Sequence, residues 1–257
     1  MAAVASEGWE ALLESFEPAS EHLIADRALL CRTDVKFVTT PPLALAVAAR
    51  LAETCAVLSA GEALVASYRT VYFDTDDLAC YHDHRRGRRL RQKIRVRHYE
   101  GRRLSMLEVK SSSRDVGTDK LRRSHGYGDD ELSAEERGFL QQRLGCRGTL
   151  EPRVSIVMRR VTLVSRERPE RLTIDLDIGF AGLAAGRFVL RNMAILELKQ
   201  ARPDPRSPSL QVVRELGVRA GWASKYCIGV ALTRPGVRRG LLADRLRRFK
   251  EAAEWVS

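Results

Sequence analysis

Alternation between apolar and charged positions is the clearest pattern along this chain. In residues 87–103, GRRLRQKIRVRHYEGRR, the apolar residues Leu90, Ile94 and Val96 share one parity. The opposite parity carries a run of cations: Arg91, Lys93, Arg95 and Arg97. Because successive residues of a strand point to opposite sides, this segment predicts a strand with one apolar and one cationic face.

The same alternation recurs in four more predicted strands, 32–38, 104–111, 171–180 and 188–200. Their charged positions include Arg32, Asp34, Lys36, Glu108, Lys110, Arg171, Asp175, Asp177, Glu197 and Lys199. An ordinary solvent-facing side of an antiparallel sheet would also be polar. Like charges on neighbouring exposed positions repel, however, and a sheet curled around its charged face would instead enclose a basic channel. Such a channel needs an anion or water to fill it, which makes it a candidate site.

Further strands are predicted at 67–75 and 153–165, and helices at several places between the strands. One helix is expected over 43–61, with Thr40 as its N-cap and Gly61 at its end. Others are expected over 133–145, where Ser133 and Glu136 form a capping box, and over 207–217, 1–30 and 238–256. The segment SKYC (224–227) is expected to follow the end of a strand. Antiparallel strands with a few helices and no regular βαβ alternation indicate the α+β class.

Composition adds an anionic partner to this interpretation. The chain has 257 residues, with 44 Lys or Arg against 33 Asp or Glu, and a formal net charge of +11. Nucleic acid, an acidic membrane surface or a phosphorylated small molecule would each satisfy that charge. Its five cysteines are far apart in sequence, which argues against a zinc or redox pair and favours buried thiols in a reducing cytosol. No signal peptide is recognised, so we expect a cytoplasmic protein.

Several motifs together resemble one family. RTDVKF, VYFDTDDLACYHDH, RQKIRVRHY, LEVK, RLTIDLDI, AILELK and SKYC occur in the order found in the VTC domain, the catalytic domain of polyphosphate polymerases. That domain belongs to the triphosphate tunnel metalloenzymes, together with the CYTH phosphatases and class IV adenylyl cyclases. The resemblance implies an antiparallel eight-stranded triphosphate-tunnel β-barrel with flanking helices. It divides the chain into a helical extension (1–30), the tunnel domain (31–232) and a basic C-terminal helix (233–257).

The resemblance and the strand parities together assign site residues. The expected catalytic residues are Lys225, Arg95, Arg97, Lys110 and Arg160. The expected substrate-binding residues are Lys36, Lys93, Lys120, Arg122, Lys199 and Ser224. The expected metal ligands are Glu197 and, as the second choice, Glu108. Arg95 and Arg97 are expected to share a cavity with Lys36 and Lys110.

This sequence also departs from the family pattern. Met158 stands where an aromatic residue is usual, and Leu163 stands where Tyr or Phe is common. Arg159 beside Arg160 leaves the register of that strand open by one residue. Asp34 stands where related phosphatases carry a glutamate of their ExExK signature, so that signature is incomplete here, which argues against the CYTH phosphatase branch.

These assignments predict a metal-dependent enzyme that transfers the γ-phosphoryl group of ATP to a growing polyphosphate chain, with Mn²⁺ or Mg²⁺ as cofactor. Arginine grips phosphate oxygens in a bidentate manner, and lysine supplies a compact charge. Hydrolysis of triphosphate on the same fold, and non-catalytic binding of polyphosphate or inositol polyphosphate, remain alternatives. A membrane protein partner is left open. Nucleic acid is not expected as a partner, because exposed aromatic residues for base stacking are not interleaved with the cations Arg91, Lys93, Arg95 and Arg97 of the basic strand.

Overall fold

A computed structural model of the chain describes residues 2–28, 33–112, 118–144, 148–182 and 186–256. Predictions that concern Cys31, Arg32 and Cys146 lie outside these residues. The described part is a mostly antiparallel sheet with flanking helices, which confirms the α+β class.

Strands and helices do not alternate regularly along the chain. The strands are β1 Thr33–Thr39, β2 Cys55–Val57, β3 Ala66–Asp74, β4 Arg91–Tyr99, β5 Leu104–Ser112, β6 Thr118–His125, β7 Glu151–Ser165, β8 Glu170–Ala181, β9 Arg187–Leu190, β10 Ala194–Gln200 and β11 Ala253–Val256. The helices are α1 Ala2–Glu14, α2 Glu21–Asp26, α3 Pro41–Arg50, α4 Ala79–Arg85, α5 Ala134–Leu144, α6 Pro208–Glu215, α7 Lys225–Thr233 and α8 Ala243–Glu251.

The first of two compact units comprises Met1–Ser67, Met158–Ile178 and Arg191–Ala223. Its strand order is β1-β10-β8-β7, and β2 pairs with β7. The apolar parity of these strands, represented by Leu196 and Ile174, is buried with residues of α1, α3 and α6. The opposite parity carries the charged side chains. On that face, charged residues of β1 lie directly opposite charged residues of β10.

The second unit comprises Tyr68–Val157, Gly179–Leu190 and Ser224–Ser257. Its strand order is β7-β3-β4-β5-β6, so the two orders together contain the expected eight strands. Ile94 and Val96 are fully buried and pack with apolar residues of β3, β5 and α5, as their parity predicts. Closure of the eight strands into a tunnel stays a prediction.

The helix predicted over 43–61 is wrong in its second half. Helix α3 ends at Arg50, and Cys55–Val57 forms strand β2, which pairs with Leu163–Ser165 of β7. Thr40 is the N-cap, but its side chain makes no capping hydrogen bond. An apolar run of this kind fits a buried strand as well as a helix, and pairing with β7 decides between them.

The single strand predicted over 188–200 is also wrong. Strands β9 and β10 are separated at Asn192, which has φ 49°, a left-handed conformation that asparagine tolerates. The tail predicted as one helix over 238–256 is instead a short 3₁₀ turn, helix α8 and strand β11, and β11 pairs with β9. The N-terminal segment contains two helices, α1 and α2.

Two helices lie where none was predicted. Helix α4 follows β3, and helix α7 begins at Lys225, where the sequence suggested only the end of a strand. The capping box of α5 is confirmed: Ser133 N donates to Glu136 Oε2 (2.9 Å), and Glu136 N donates to Ser133 Oγ (3.1 Å). Within the described ranges, no helix is both long and apolar enough to cross a membrane.

Candidate functional site

Most of the predicted binding residues of the second unit lie on one face of β4, β5 and β6. The register pairs Arg95 with Glu108, and Glu108 with Arg122. Two residues further along β4, Lys93 is opposite Lys110, which is opposite Lys120, and we call these three residues the lysine row. We call this surface the cationic face; it carries Lys93, Arg95, Arg97, Lys110, Lys120 and Arg122, with Glu108 among them.

Glu108 is the centre of the arginine row, by which we mean Arg95, Glu108 and Arg122 together with the neighbouring Arg97. Arg95 Nε donates to Glu108 Oε2 (2.7 Å), and Arg122 Nε lies 3.0 Å from Oε1. Arg97 Nη1 is 3.9 Å from Oε2. Burial would raise the pKa of Glu108, but Arg95, Arg97 and Arg122 outweigh burial and hold this pKa well below its ordinary value. An ionised carboxylate therefore holds three guanidinium groups together.

Tyr72, on β3, is a member of this row that sequence reasoning missed. Arg95 Nη1 donates to the Tyr72 hydroxyl oxygen (2.9 Å), and the residue is buried. Burial alone would raise the pKa of Tyr72, but the charges of Arg95, Arg97 and Lys93 outweigh it and lower the pKa to about 8. The tyrosine lies within the quoted motif VYFDT, but its contact with Arg95 depends on the β3–β4 register, which the sequence does not supply.

The lysine row lies next to the first turn of α7. Ser224 is the N-cap of that helix: its Oγ accepts from Cys227 N (3.4 Å) and from Lys93 Nζ (3.3 Å). Lys225 is the first residue of the helix. Burial and the neighbouring cations Lys93 and Arg91 lower the pKa of His84 to about 3. Backbone N–H groups at a helix N-terminus favour anions, so this helix end adds to the positive potential of the lysine row.

Asp74 fixes the position of α7 from beneath. This fully buried carboxylate accepts from the backbone N–H groups of Cys80 and Tyr81 (2.9 Å each) and from the hydroxyl of Tyr226. The ring of Tyr226 in turn stacks on Tyr72, with centroids 5.0 Å apart. Asp74 thus joins the start of α4 to the start of α7, which is a structural role.

The first unit carries a second charged cluster, on the face of β1, β8 and β10. Lys36 is directly opposite Glu197, and its Nζ lies 3.8 Å from Glu197 Oε1 and donates to Ala223 O (2.8 Å). Lys199 Nζ donates to Glu197 Oε2. Burial, helped by Arg160, lowers the pKa of Lys199 to about 8, although Glu197 opposes this shift. The expectation that Lys36 shares a cavity with Arg95 stays a prediction.

Of the two neighbouring arginines on β7, Arg160 carries a charge that helps to lower the pKa of Lys199. Its guanidinium forms a bidentate pair with the fully buried Asp175, with Nη2 to Oδ2 at 2.9 Å. Arg159 instead pairs with the exposed Asp177. This geometry favours Arg160 over Arg159 as the residue of the charged face.

The carboxylates differ in how well they suit a metal ion. Mg²⁺ is usually held by one or two carboxylates together with substrate phosphates and water. Glu197 fits that role, because it pairs with the flexible ammonium groups of Lys36 and Lys199 and its side chain is 19% exposed. Glu108 accepts from guanidinium groups on both oxygens, and its role as a metal ligand stays a prediction. Within the described part of the chain, no group of three His, Cys, Asp or Glu side chains suits a metal.

Comparison with solved structures finds distant likenesses in fold. A candidate adenylate cyclase from Bacillus halodurans is 12% identical, with coverage of 75% of this chain and 93% of that one and a TM-score of 0.46. A candidate adenylyl cyclase from Hippeastrum, described as having a dominant triphosphatase activity, is 14% identical, with coverage of 79% and 97% and a TM-score of 0.49. A protein from Pyrococcus horikoshii is 15% identical, with coverage of 74% and 92% and a TM-score of 0.40.

The sequence comparisons are more decisive. No curated protein matches the chain. The family model of the VTC domain matches residues 31–234, which is most of the chain. The chain therefore belongs to the VTC domain family.

Proposed function

We propose that this protein is a metal-dependent polyphosphate polymerase that uses ATP. The bond between the γ-phosphorus and the β–γ bridging oxygen breaks, and ADP leaves. A terminal oxygen of the polyphosphate acceptor forms the new bond to that phosphorus. Membership of the VTC domain family supports this reaction class.

The observation that carries the proposal is the cationic face. Its arginine row and its lysine row lie side by side on β4, β5 and β6, with one carboxylate between the guanidinium groups. Phosphoryl transfer depends on positioning and on stabilising charge spread over the phosphate oxygens, and it needs no covalent partner from the protein. Preorganised cations supply both requirements.

Individual roles follow from chemistry. Arg95 and Arg97 are proposed to grip the triphosphate, since guanidinium groups bind phosphate oxygens in a bidentate manner. Lys110 and Lys225 are proposed to stabilise charge in the transition state, with Lys93, Lys120, Arg122 and Ser224 binding neighbouring phosphates. From the first unit, Lys36, Lys199 and Arg160 are proposed as further phosphate contacts.

A bound Mn²⁺ or Mg²⁺ would neutralise charge on the phosphate oxygens and orient the triphosphate. Glu197 is the proposed ligand, because its carboxylate pairs with the ammonium groups of Lys36 and Lys199, which a dication can displace. The same proposal places the protein in the cytoplasm, with a membrane protein as a candidate partner and without a nucleic-acid substrate.

The test is to incubate purified protein with ATP and Mn²⁺ and to resolve the products on a gel stained for polyphosphate. Long chains that require ATP are the expected result. Orthophosphate alone would instead identify a hydrolase. Tight polyphosphate binding without turnover would identify a sensor, and either result would overturn the polymerase. Lys250→Ala, on the exposed face of α8, is the matched control for lysine variants of the site.

A further inference from the structure

The cationic face has an aromatic end. Tyr68 of β3 is directly opposite Tyr99 of β4, and Tyr99 is directly opposite Leu104 of β5. Tyr99 has the same parity as Arg95 and Arg97, so Tyr99 lies on the cationic face, together with Tyr68 and Leu104 opposite it. We call Tyr68, Tyr99 and Leu104 the aromatic row. Along β4, Arg97 of the arginine row is two residues from Tyr99, which is a distance of about 7 Å.

The side chains of the aromatic row are accessible instead of packed into the core. Tyr68 and Tyr99 are half-buried, and Leu104 is 41% exposed. The two tyrosine rings meet edge to face, with centroids 5.3 Å apart and an interplanar angle of 71°. The hydrophobic core of this unit lies on the opposite face, under Ile94 and Val96. A row of flat apolar surface therefore remains at one end of a charged face.

Two contacts join the aromatic row to the phosphate-binding residues. The guanidinium carbon of Arg97 lies 5.6 Å from the centroid of the Tyr68 ring. The Tyr99 hydroxyl donates to Glu108 Oε1 (3.3 Å), the carboxylate that holds the three arginines. The aromatic row is thus continuous with the arginine row, through one cation and one hydrogen bond.

We propose that the aromatic row binds the base of a nucleoside triphosphate. Every base has a π-face that stacks on aromatic side chains, and tyrosine with a neighbouring arginine is a common platform for it. With the base on Tyr68 and Tyr99, the first phosphate lies near Arg97 and the terminal phosphate extends toward the lysine row. The γ-phosphoryl group then points at Lys93, Lys110 and the first turn of α7. This orientation rests on the proposed function, which supplies the triphosphate.

In this orientation the aromatic row contributes to the binding of a nucleoside triphosphate but not to the binding of inorganic triphosphate. Inorganic tripolyphosphate has the charges but no base, so it uses the cationic rows and leaves the aromatic row uncovered. ATP uses both. Loss of a tyrosine ring should therefore weaken binding of ATP and leave binding of tripolyphosphate unchanged.

Isothermal titration calorimetry with ATP and with inorganic tripolyphosphate, at one fixed ionic strength, tests this difference. In Tyr68→Ala and in Tyr99→Ala we expect the Kd for ATP to rise about tenfold, as for the loss of one base-stacking ring, while that for tripolyphosphate stays at the wild-type value. Tyr68→Phe and Tyr99→Phe keep the ring and should keep the affinity for ATP. Trp255→Ala, which removes an exposed ring from β11, is the control.

The outcomes separate this inference from the function on which it rests. Equal weakening of ATP and tripolyphosphate, or no change for ATP in either alanine variant, would overturn the base site while triphosphate binding stands. Wild-type protein that binds neither ligand would overturn the proposed function, and the base site with it. Selective loss of ATP binding, restored by phenylalanine, supports the site.

Discussion

Glu108 accepts from Arg95 and Arg122 and lies near Arg97, with a side chain only 7% exposed. A carboxylate in this position does two things at once. It keeps like charges from repelling one another across neighbouring strands, and it fixes where their guanidinium groups point. An incoming triphosphate then competes with Glu108 for the same donors.

Replacing Glu108 by Gln should therefore destabilise the protein near neutral pH, by about 3 kcal/mol, because a buried charge cluster loses one partner. The low pKa of Glu108 means that its contribution is fully present above the ordinary glutamate pKa, and is lost as pH falls through the lowered value. Urea unfolding of wild type and Glu108→Gln should thus converge as the pH is lowered. A stability difference that is the same at neutral and acidic pH would contradict this role.

Tyr72 should ionise earlier than an ordinary tyrosine. Cations around it lower its pKa to about 8, so its contribution to stability appears as pH rises above this value and is absent below it. Tyrosinate absorbance should show an early step that Tyr72→Phe removes. Tripolyphosphate should move the step to higher pH, because its charge offsets the cations. Tyr81, whose pKa burial raises to about 12, serves as the late-titrating comparison.

Glu197 is predicted to control the metal response. In Glu197→Gln, the Mn²⁺ concentration for half-maximal activity should rise at least about tenfold, while metal-free binding of tripolyphosphate is kept or improved by the loss of a negative charge. The control is Asp177→Asn, an exposed carboxylate of the same unit that pairs with Arg159. Superimposable Mn²⁺ titrations of wild type and Glu197→Gln would remove Glu197 from the site.

Among the elements, helix α7 has the most direct connection to the proposed chemistry. Its first residue is Lys225, its N-cap Ser224 contacts Lys93, and Tyr226 ties its first turn to Asp74. Lys225→Ala should lower turnover by about two orders of magnitude, as for the loss of one transition-state donor. Ser224→Ala should have the smaller effect, with about 1 kcal/mol of stability lost from the cap. Product formation per enzyme is the measurement, and wild-type turnover in Lys225→Ala would place the chemistry elsewhere.

Strands with a buried and a charged side could be predicted from the sequence, and helix α7 could not. In β4, Ile94 and Val96 alternate with cations, so period two identifies both the strand and its faces. The run YCIGVALT in α7 is almost wholly apolar and buried, so no period shows. Strand β6 was missed because Leu121 is its only aliphatic residue. Strand β2 owes its conformation to pairing with β7, which is a contact between residues distant in sequence.

The same limit applies to the candidate site. Parity predicted that Lys93, Arg95 and Arg97 share a face, because parity is a property of one strand. Which residue lies opposite Arg95 depends on the register between strands, and that register brings Glu108 and Tyr72 to it. The sequence therefore predicted the face on which each residue lies, but not the partner that the register places opposite it.

At the scale of the whole molecule, the formal net charge of +11 opposes compactness, because like charges repel. A bound polyanion relieves that repulsion and also binds only the folded state. Both effects act in the same direction, and only the second is specific for the cationic face.

Tripolyphosphate at about one hundred times its Kd should therefore stabilise the protein by about 2.7 kcal/mol. For a chain of this size the expected rise in Tm is roughly 5–10 °C. Sodium chloride at equal ionic strength screens the net charge without occupying the site, and should give a much smaller rise. The triple variant Arg95→Gln, Arg97→Gln, Glu108→Gln, which leaves no buried carboxylate without its arginines, should lose the tripolyphosphate effect and keep the salt effect. If salt alone reproduced the rise, or if the triple variant kept it, the anion would be acting on net charge and not on the arginine row.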